Sequence, residues 1–521
     1  MAIWYSDGDH DWDTTNAWND AEGGGGTAGN PTDGDIAIVQ AGDVVTLTAD
    51  VTSIGALKIL GTLAGGSGYT ITTRAAYANK PVDHDGTITG IVNIRIENQG
   101  TGSTPATGWM FDSQHNSTYF TNVFVDLTSA TSSHNIVEWL GDFRASGTIT
   151  VENGTFAGYT TGYTARGTDL TIESGGIFGR IDNTETAAYV LSSIEVQDGG
   201  TFVATNGACT VTGNVSNYGT LTLNASTFSA AFLRNYSTGV VPASTGEHTF
   251  TDALRNDNSY TFTNGNTLLT GRGVGNSGYL LDDQGSTMDY NGGTINIGNG
   301  TDIGANTNIR PQASHDLNDL IINCTNSRKV ILATACDIAG NLTLTAGELD
   351  TSGSNLALTV TGKTEIAAGG TLTCNGSTCL FNSTGTAGGI VFTANGGTFT
   401  ADADSTITYG SIWCYNGSSV TFSAAGTNTV NSYFGADVVR FTTNSVDVNT
   451  NVTITLTGTN NKKLFFGDTS IVNVTLTPTS ATTYLLGDDG HSEISGNLTI
   501  NQYATLNTQI SGTDKNLTVT G

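Results

Sequence analysis

The chain has 521 residues, only 12% of them charged, with 68 glycines and 6 prolines, and its 37% hydrophobic content lies below the ~45–50% of ordinary globular domains. Thr, Ser, Asn and Gly fill the difference rather than Lys and Glu, which excludes the disordered class and points to many short strands joined by turns. With 18 Lys+Arg against 46 Asp+Glu the net charge is −28, which repels phosphates and excludes a nucleic-acid partner.

The first ten residues, MAIWYSDGDH, have neither a basic nor an apolar leader region, so no signal peptide is expected. No later apolar run reaches the ~20 residues that cross a bilayer, so no membrane insertion is expected either. Residues 6–20, SDGDHDWDTTNAWND, place Asp7, Asp9, Asp11 and Asp13 at every second position. In an extended segment these carboxylates share one face and repel without a cation, which makes them the candidate ligands of a Ca2+ ion. An EF-hand loop is excluded: counted from Asp9, the sixth position is Thr14 rather than Gly, and the twelfth is Asp20 rather than Glu. Trp4, Trp12 and Trp18 are expected to pack over the first turn of the fold.

Residues 76–145 carry Trp109, Trp139, His84, His115 and His134 without a regular glycine cadence. From residue 150 a repeat sets in: TVENGTF (150–156), TIESGGIF (171–178), EVQDGGTF (195–202) and VSNYGTLTL (215–223). Gly154, Gly176, Gly200 and Gly219 in these phrases advance by 22, 24 and 19 residues. Residues 235–320 blur the period. It resumes in LTAGELDTSG (344–353), IAAGGTLTCNG (366–376), TANGGTFTAD (393–402) and CYNGSSVTFS (414–423).

Strands this short cannot bury a core alone, and a period of about 20–25 residues is the mark of a solenoid whose stacked coils share one interior. The fold class expected is therefore all-β, a right-handed parallel β-helix with an N-terminal cap. Leu342 and Leu344 should point inward and the neighbouring threonines outward. Glycines should supply the positive-φ corners. At ~22 residues and ~4.8 Å per coil the chain would make roughly 24 coils and a rod on the order of 110 Å. Its expected divisions are 1–75 (cap and first coils), 76–330 (solenoid with irregular loops) and 331–521 (regular solenoid).

Side chains for chemistry are sparse. Trp109, Trp139, Tyr159, Tyr163, Trp413 and Tyr415 are the candidates for flat sugar-binding platforms. Asp282, Asp283, Asp402, Asp404, Asp488 and Asp489 offer carboxylates for a glycosidase pair, but DDG and DAD are also ordinary turn sequences. No nucleophile elbow, P-loop or dinucleotide fingerprint is present, and no catalytic residue is assigned. Six cysteines make no disulfide framework; Cys374 and Cys379 flank NGST and either bridge a turn or fill the core as thiols. The sequons at Asn153, Asn224, Asn341 and Asn497 come from a chain rich in Asn, Ser and Thr. Asparagines in a solenoid are expected to stack into side-chain hydrogen-bond ladders.

The opening passage, from IWYSDGDHDW through NPTDGDIAIVQAGDVVTLTADV to LKILGTL, and the later phrase GNLTLTAGELDTSG carry a familiar cadence. They resemble the parallel β-helix proteins of phage tail fibres and tailspikes and of large bacterial surface adhesins. The resemblance implies a rigid element on a virion surface or outside a cell, with loops that bind a cell-surface glycan. It also implies self-association, as a trimer or a head-to-tail filament. The expected function is thus a structural and adhesive β-solenoid, most readily a phage fibre or spike. A self-assembling extracellular filament subunit or secreted adhesin is the first alternative. A polysaccharide depolymerase on the same scaffold is the second. No cofactor beyond Ca2+ is called for.

Overall fold

Apolar residues alternating with Thr, Ser and Asn over three to five positions recur through the computed structural model as short strands with alternating burial. The structure describes the chain outside residues 75–79, 98–108, 113–117, 129–135, 159–163, 181–187, 205, 224–226, 313, 383–389 and 393–396; beyond residue 414 it describes the strands and a few connections between them. Among the described residues the one helical element is a single 3-10 turn, Val274–Asn276. Contacts divide the chain into two compact units, Met1–His248 with Asp257–Thr261, and Thr249–Asn256 with Phe262–Gly521.

The first unit is a parallel β-solenoid with three strands per coil. One coil runs through Thr164–Arg166, Asp169–Ile172 and Gly176–Phe178; the next runs through Ala188–Leu191, Ser193–Val196 and Thr201–Val203, each strand paired in parallel with its counterpart. Because the backbone groups of each strand point along the stack, every coil supplies the hydrogen-bond partners of its neighbours. Inward positions line up into columns. Phe156, Phe178, Phe202 and Leu221 are in register and fully buried. The Phe178 and Phe202 rings stack 6.0 Å apart with planes 2° from parallel. A second column, Val151–Ile172–Val196–Asn217–Asn235, changes from aliphatic to amide. There Asn217 Nδ2 donates to Asn235 Oδ1 at 2.7 Å, which is the expected asparagine ladder.

The second unit repeats the plan. Leu349, Leu372 and Phe399 form one inward column, and Cys336, Leu358, Cys379 and Ile407 another. Leu342 and Leu344 are buried while Thr343 and Thr345 face outward, as their alternation requires. The five described cysteines are buried free thiols, so Cys374 and Cys379 fill the core rather than bridge a turn.

The repeat glycines play two parts where one was expected. Gly154 does take φ +78°, but in the following coils the positive φ belongs to Gly175 (+91°) and Gly199 (+82°), one residue earlier than the phrases suggest. Gly176 and Gly219 are needed for closeness instead: a Cβ on Gly176 would collide with the Val151 carbonyl oxygen, and one on Gly219 with that of Gly200. The corners of successive coils nest backbone to backbone, and any side chain would prise them apart.

At the start of the first unit, Ile3–Ser6 pairs in parallel with Ile36–Val39 of the next coil. Its other edge pairs antiparallel with Trp18–Asn19, which in turn pairs antiparallel with Ala28–Gly29. Trp12 and Trp18 are buried edge to face at 4.8 Å. The Trp4 indole lies against Gly29 and donates from Nε1 to Asp35 Oδ2 at 3.1 Å.

Candidate functional site

The four alternating aspartates stand at this first coil, all exposed. Asp9 Oδ1 accepts from the Val44 amide at 2.8 Å, Asp11 is in register with Thr46, and Asp13 Oδ1 accepts from Thr48 Oγ1 at 2.8 Å. The Asp9 and Asp13 carboxylates therefore serve two different positions of the coil below instead of a common point. The extended stretch they required is cut short: Gly8 turns the chain at φ +81°, and only His10–Asp11 is a strand. Among the described residues no group of three or more His, Cys, Asp or Glu side chains is disposed to hold a metal ion. Asp7, Asp9, Asp11 and Asp13, expected as Ca2+ ligands, form no such group.

The aromatic candidates fare unevenly. Trp139 is fully buried, 4.9 Å from Phe156 and 5.5 Å from Phe178, so it is core and not a platform. His84 is buried too, beside Phe120. Trp109 and Trp413 lie on the strands Trp109–Asp112 and Ile412–Cys414, with side chains outside the described set. Tyr159, Tyr163 and Tyr415 fall outside the described residues.

An outward aromatic pair occurs where the sequence reading did not place one. Asn217 and Asn235 turn into the interior, so the next residues, Tyr218 and Tyr236, turn out at the same corner of adjacent coils. Their rings stack at 4.0 Å and 14°, both half-buried. The corner is fixed by the Tyr236 amide donating to the Asn217 carbonyl (2.8 Å), Thr238 Oγ1 to the Tyr218 carbonyl (2.6 Å) and Asn235 Nδ2 to the Gly239 carbonyl (3.0 Å). Arg234 lies 4.2 Å over Tyr236 and is held by Asp257 at 2.8 Å. The Tyr236 ring is thus in contact with both the Tyr218 ring and the Arg234 guanidinium. A hydrogen bond with Tyr236 pushes the Tyr218 phenol up to about 12. The signal for this corner was the doubled phrase Asn-Tyr in VSNYG and RNYSTG, one coil apart.

The carboxylates considered for a glycosidase pair are spent otherwise. Asp282 and Asp283 are buried. Arg310 grips Asp282 through Nε at 2.7 Å and Nη2 at 2.9 Å, and Asp283 Oδ2 meets His315 Nδ1 at 2.6 Å. Asp283 Oδ1 also accepts from Asn256 Nδ2 and the Gly285 amide. The two neighbouring acids thus serve different partners, and each buried charge is compensated as burial demands. Asp402 and Asp404 are exposed, and Asp488 and Asp489 fall outside the described residues.

Among the described residues no helix is long and apolar enough to cross a membrane. A scan against protein-family models finds no match, and searches of curated proteins and of solved structures return none.

Proposed function

We propose that the protein is a structural and adhesive β-solenoid of a surface appendage, a fibre or spike of a phage or a related extracellular element, that binds a cell-surface glycan. The observation that carries this reading is the outward, half-buried Tyr218–Tyr236 stack at a corner locked by the Asn217–Asn235 ladder. Flat apolar faces flanked by fixed polar groups suit the C–H faces of sugar rings, and a site that is already ordered loses little entropy on binding. The antiparallel cover over Ile3–Ser6 supports display rather than polymerisation through that edge, since a paired edge offers few free amides to another chain.

Binding of the full chain to immobilised bacterial surface polysaccharides tests this. Wild type should bind at least one, Tyr218→Ala should weaken that binding about three- to tenfold, and the glycan should be recovered uncut. Equal binding by Tyr218→Ala contradicts the corner's role, and release of new reducing ends moves the protein to the depolymerase class.

A further inference from the structure

Among the described residues most basic side chains are spoken for: Arg74, Arg95, Arg180, Arg234, Arg310 and Arg328 each meet a carboxylate. Arg144 and Arg166 do not. They stand on Phe143–Arg144 and Thr164–Arg166, neighbouring strands of successive coils, and are directly in register with each other. Both are exposed. Arg144 rests 4.6 Å over the Tyr119 ring with Nη1 3.4 Å from its hydroxyl, while the Arg166 side chain has no hydrogen bond or ion pair among the described residues. The nearest acids along the chain are engaged: Asp142 Oδ1 accepts from the Thr164 amide at 2.8 Å, and Asp169 Oδ1 from Ser193 Oγ at 2.6 Å.

Like charges directly opposite on paired strands repel. A chain with 46 acidic residues could have relieved that repulsion with one of them, and it leaves the pair facing a cleft of about 340 Å³ lined also by Ser146, Thr168, Val190 and Ser192. Thr168 Oγ1 is committed to the Gly147 carbonyl, whereas no hydrogen bond to the Ser146 or Ser192 hydroxyl occurs among the described residues. The open donors are two planar guanidinium forks and two hydroxyls, a set matched to a planar or tetrahedral oxyanion. The Tyr119 ring holds one fork in place beforehand.

We infer that this cleft binds an oxyanion carried on a polysaccharide, a carboxylate or sulfate group bridging Arg144 and Arg166. The inference rests on the glycan-binding reading above and narrows it to acidic glycans. Net charge of −28 opposes such a ligand at long range, but at physiological ionic strength that field is screened beyond ~8 Å, and the two arginines act inside that distance.

The test compares the full chain with Arg144→Gln and Arg166→Gln, using dextran sulfate, uncharged dextran and inorganic sulfate as probes. Wild type should bind dextran sulfate and not dextran, with affinity falling as salt rises, and each substitution should weaken binding about tenfold. Arg166→Gln should melt no lower than wild type at low salt, because it removes one of two facing charges. Equal binding by wild type and both variants overturns the site. Inorganic sulfate binding that the variants lose, without any dextran sulfate binding, overturns the polysaccharide assignment. If the arginines hold dextran sulfate while Tyr218→Ala leaves glycan binding unchanged, the tyrosine corner fails and the anion cleft stands.

Discussion

Single residues in this protein are read by which side of a coil they occupy, and one of them sets a pH dependence. His248 is fully buried, 3.1 Å from Ser244 Oγ and edge-on to Phe228, and burial pushes its imidazole down from 6.5 to about 4. Between those values the unfolded chain takes up a proton that the folded chain refuses, so stability falls as pH drops through this window and is intact above it. The full effect is about 3 kcal/mol. Carboxylates act lower. At Asp35 burial raises the carboxyl, but hydrogen bonds from Ala2, Thr32 and Trp4 outweigh it and leave it lowered, so its contribution fades only below about pH 4. Urea unfolding from pH 7 to pH 4 should show the loss in wild type, and His248→Gln should flatten it. An unchanged slope in the variant would assign the effect elsewhere.

At the scale of elements, the period was legible and the use of its parts was not. The glycine steps of 22, 24 and 19 reappear as the register Gly154 with Gly176, Ile177 with Thr201 and Thr201 with Thr220. Alternation placed Leu342 and Leu344 inside correctly. Alternation accounts for Trp139 as well: in Ile136–Leu140, Val137 and Trp139 share the inward side, and Glu138 between them is buried in its pair with Arg180 at 2.7 Å. Tyr218 with Tyr236, and Arg144 with Arg166, become neighbours only once the coil length is applied. The glycine corners give a sharp expectation. Gly176→Ala and Gly219→Ala, whose Cβ atoms would strike the carbonyls of Val151 and Gly200, should each cost about 1–3 kcal/mol in stability. Gly42→Ala, a positive-φ turn with open space around its Cα, should cost less, about 1 kcal/mol; thermal unfolding of the three variants checks the order.

For the whole molecule, outward and inward residues must keep one register from coil to coil, since a slip of one residue turns every core side chain to solvent. Functional surfaces follow from that register, because binding groups such as the two arginines meet only across coils. The most direct measurement is site-directed crosslinking in the full chain. Thr343 and Glu365 face outward and are paired on adjacent coils, whereas Lys363 lies two residues earlier in the same coil. Cysteines at 343 and 365 would sit at the separation a disulfide spans. Mild oxidation of Thr343→Cys/Glu365→Cys should give an intramolecular disulfide in high yield, seen by mass spectrometry, and Thr343→Cys/Lys363→Cys should give little. Efficient crosslinking of 343 with 363, and none with 365, would contradict the stacked register on which the fold and both binding surfaces depend.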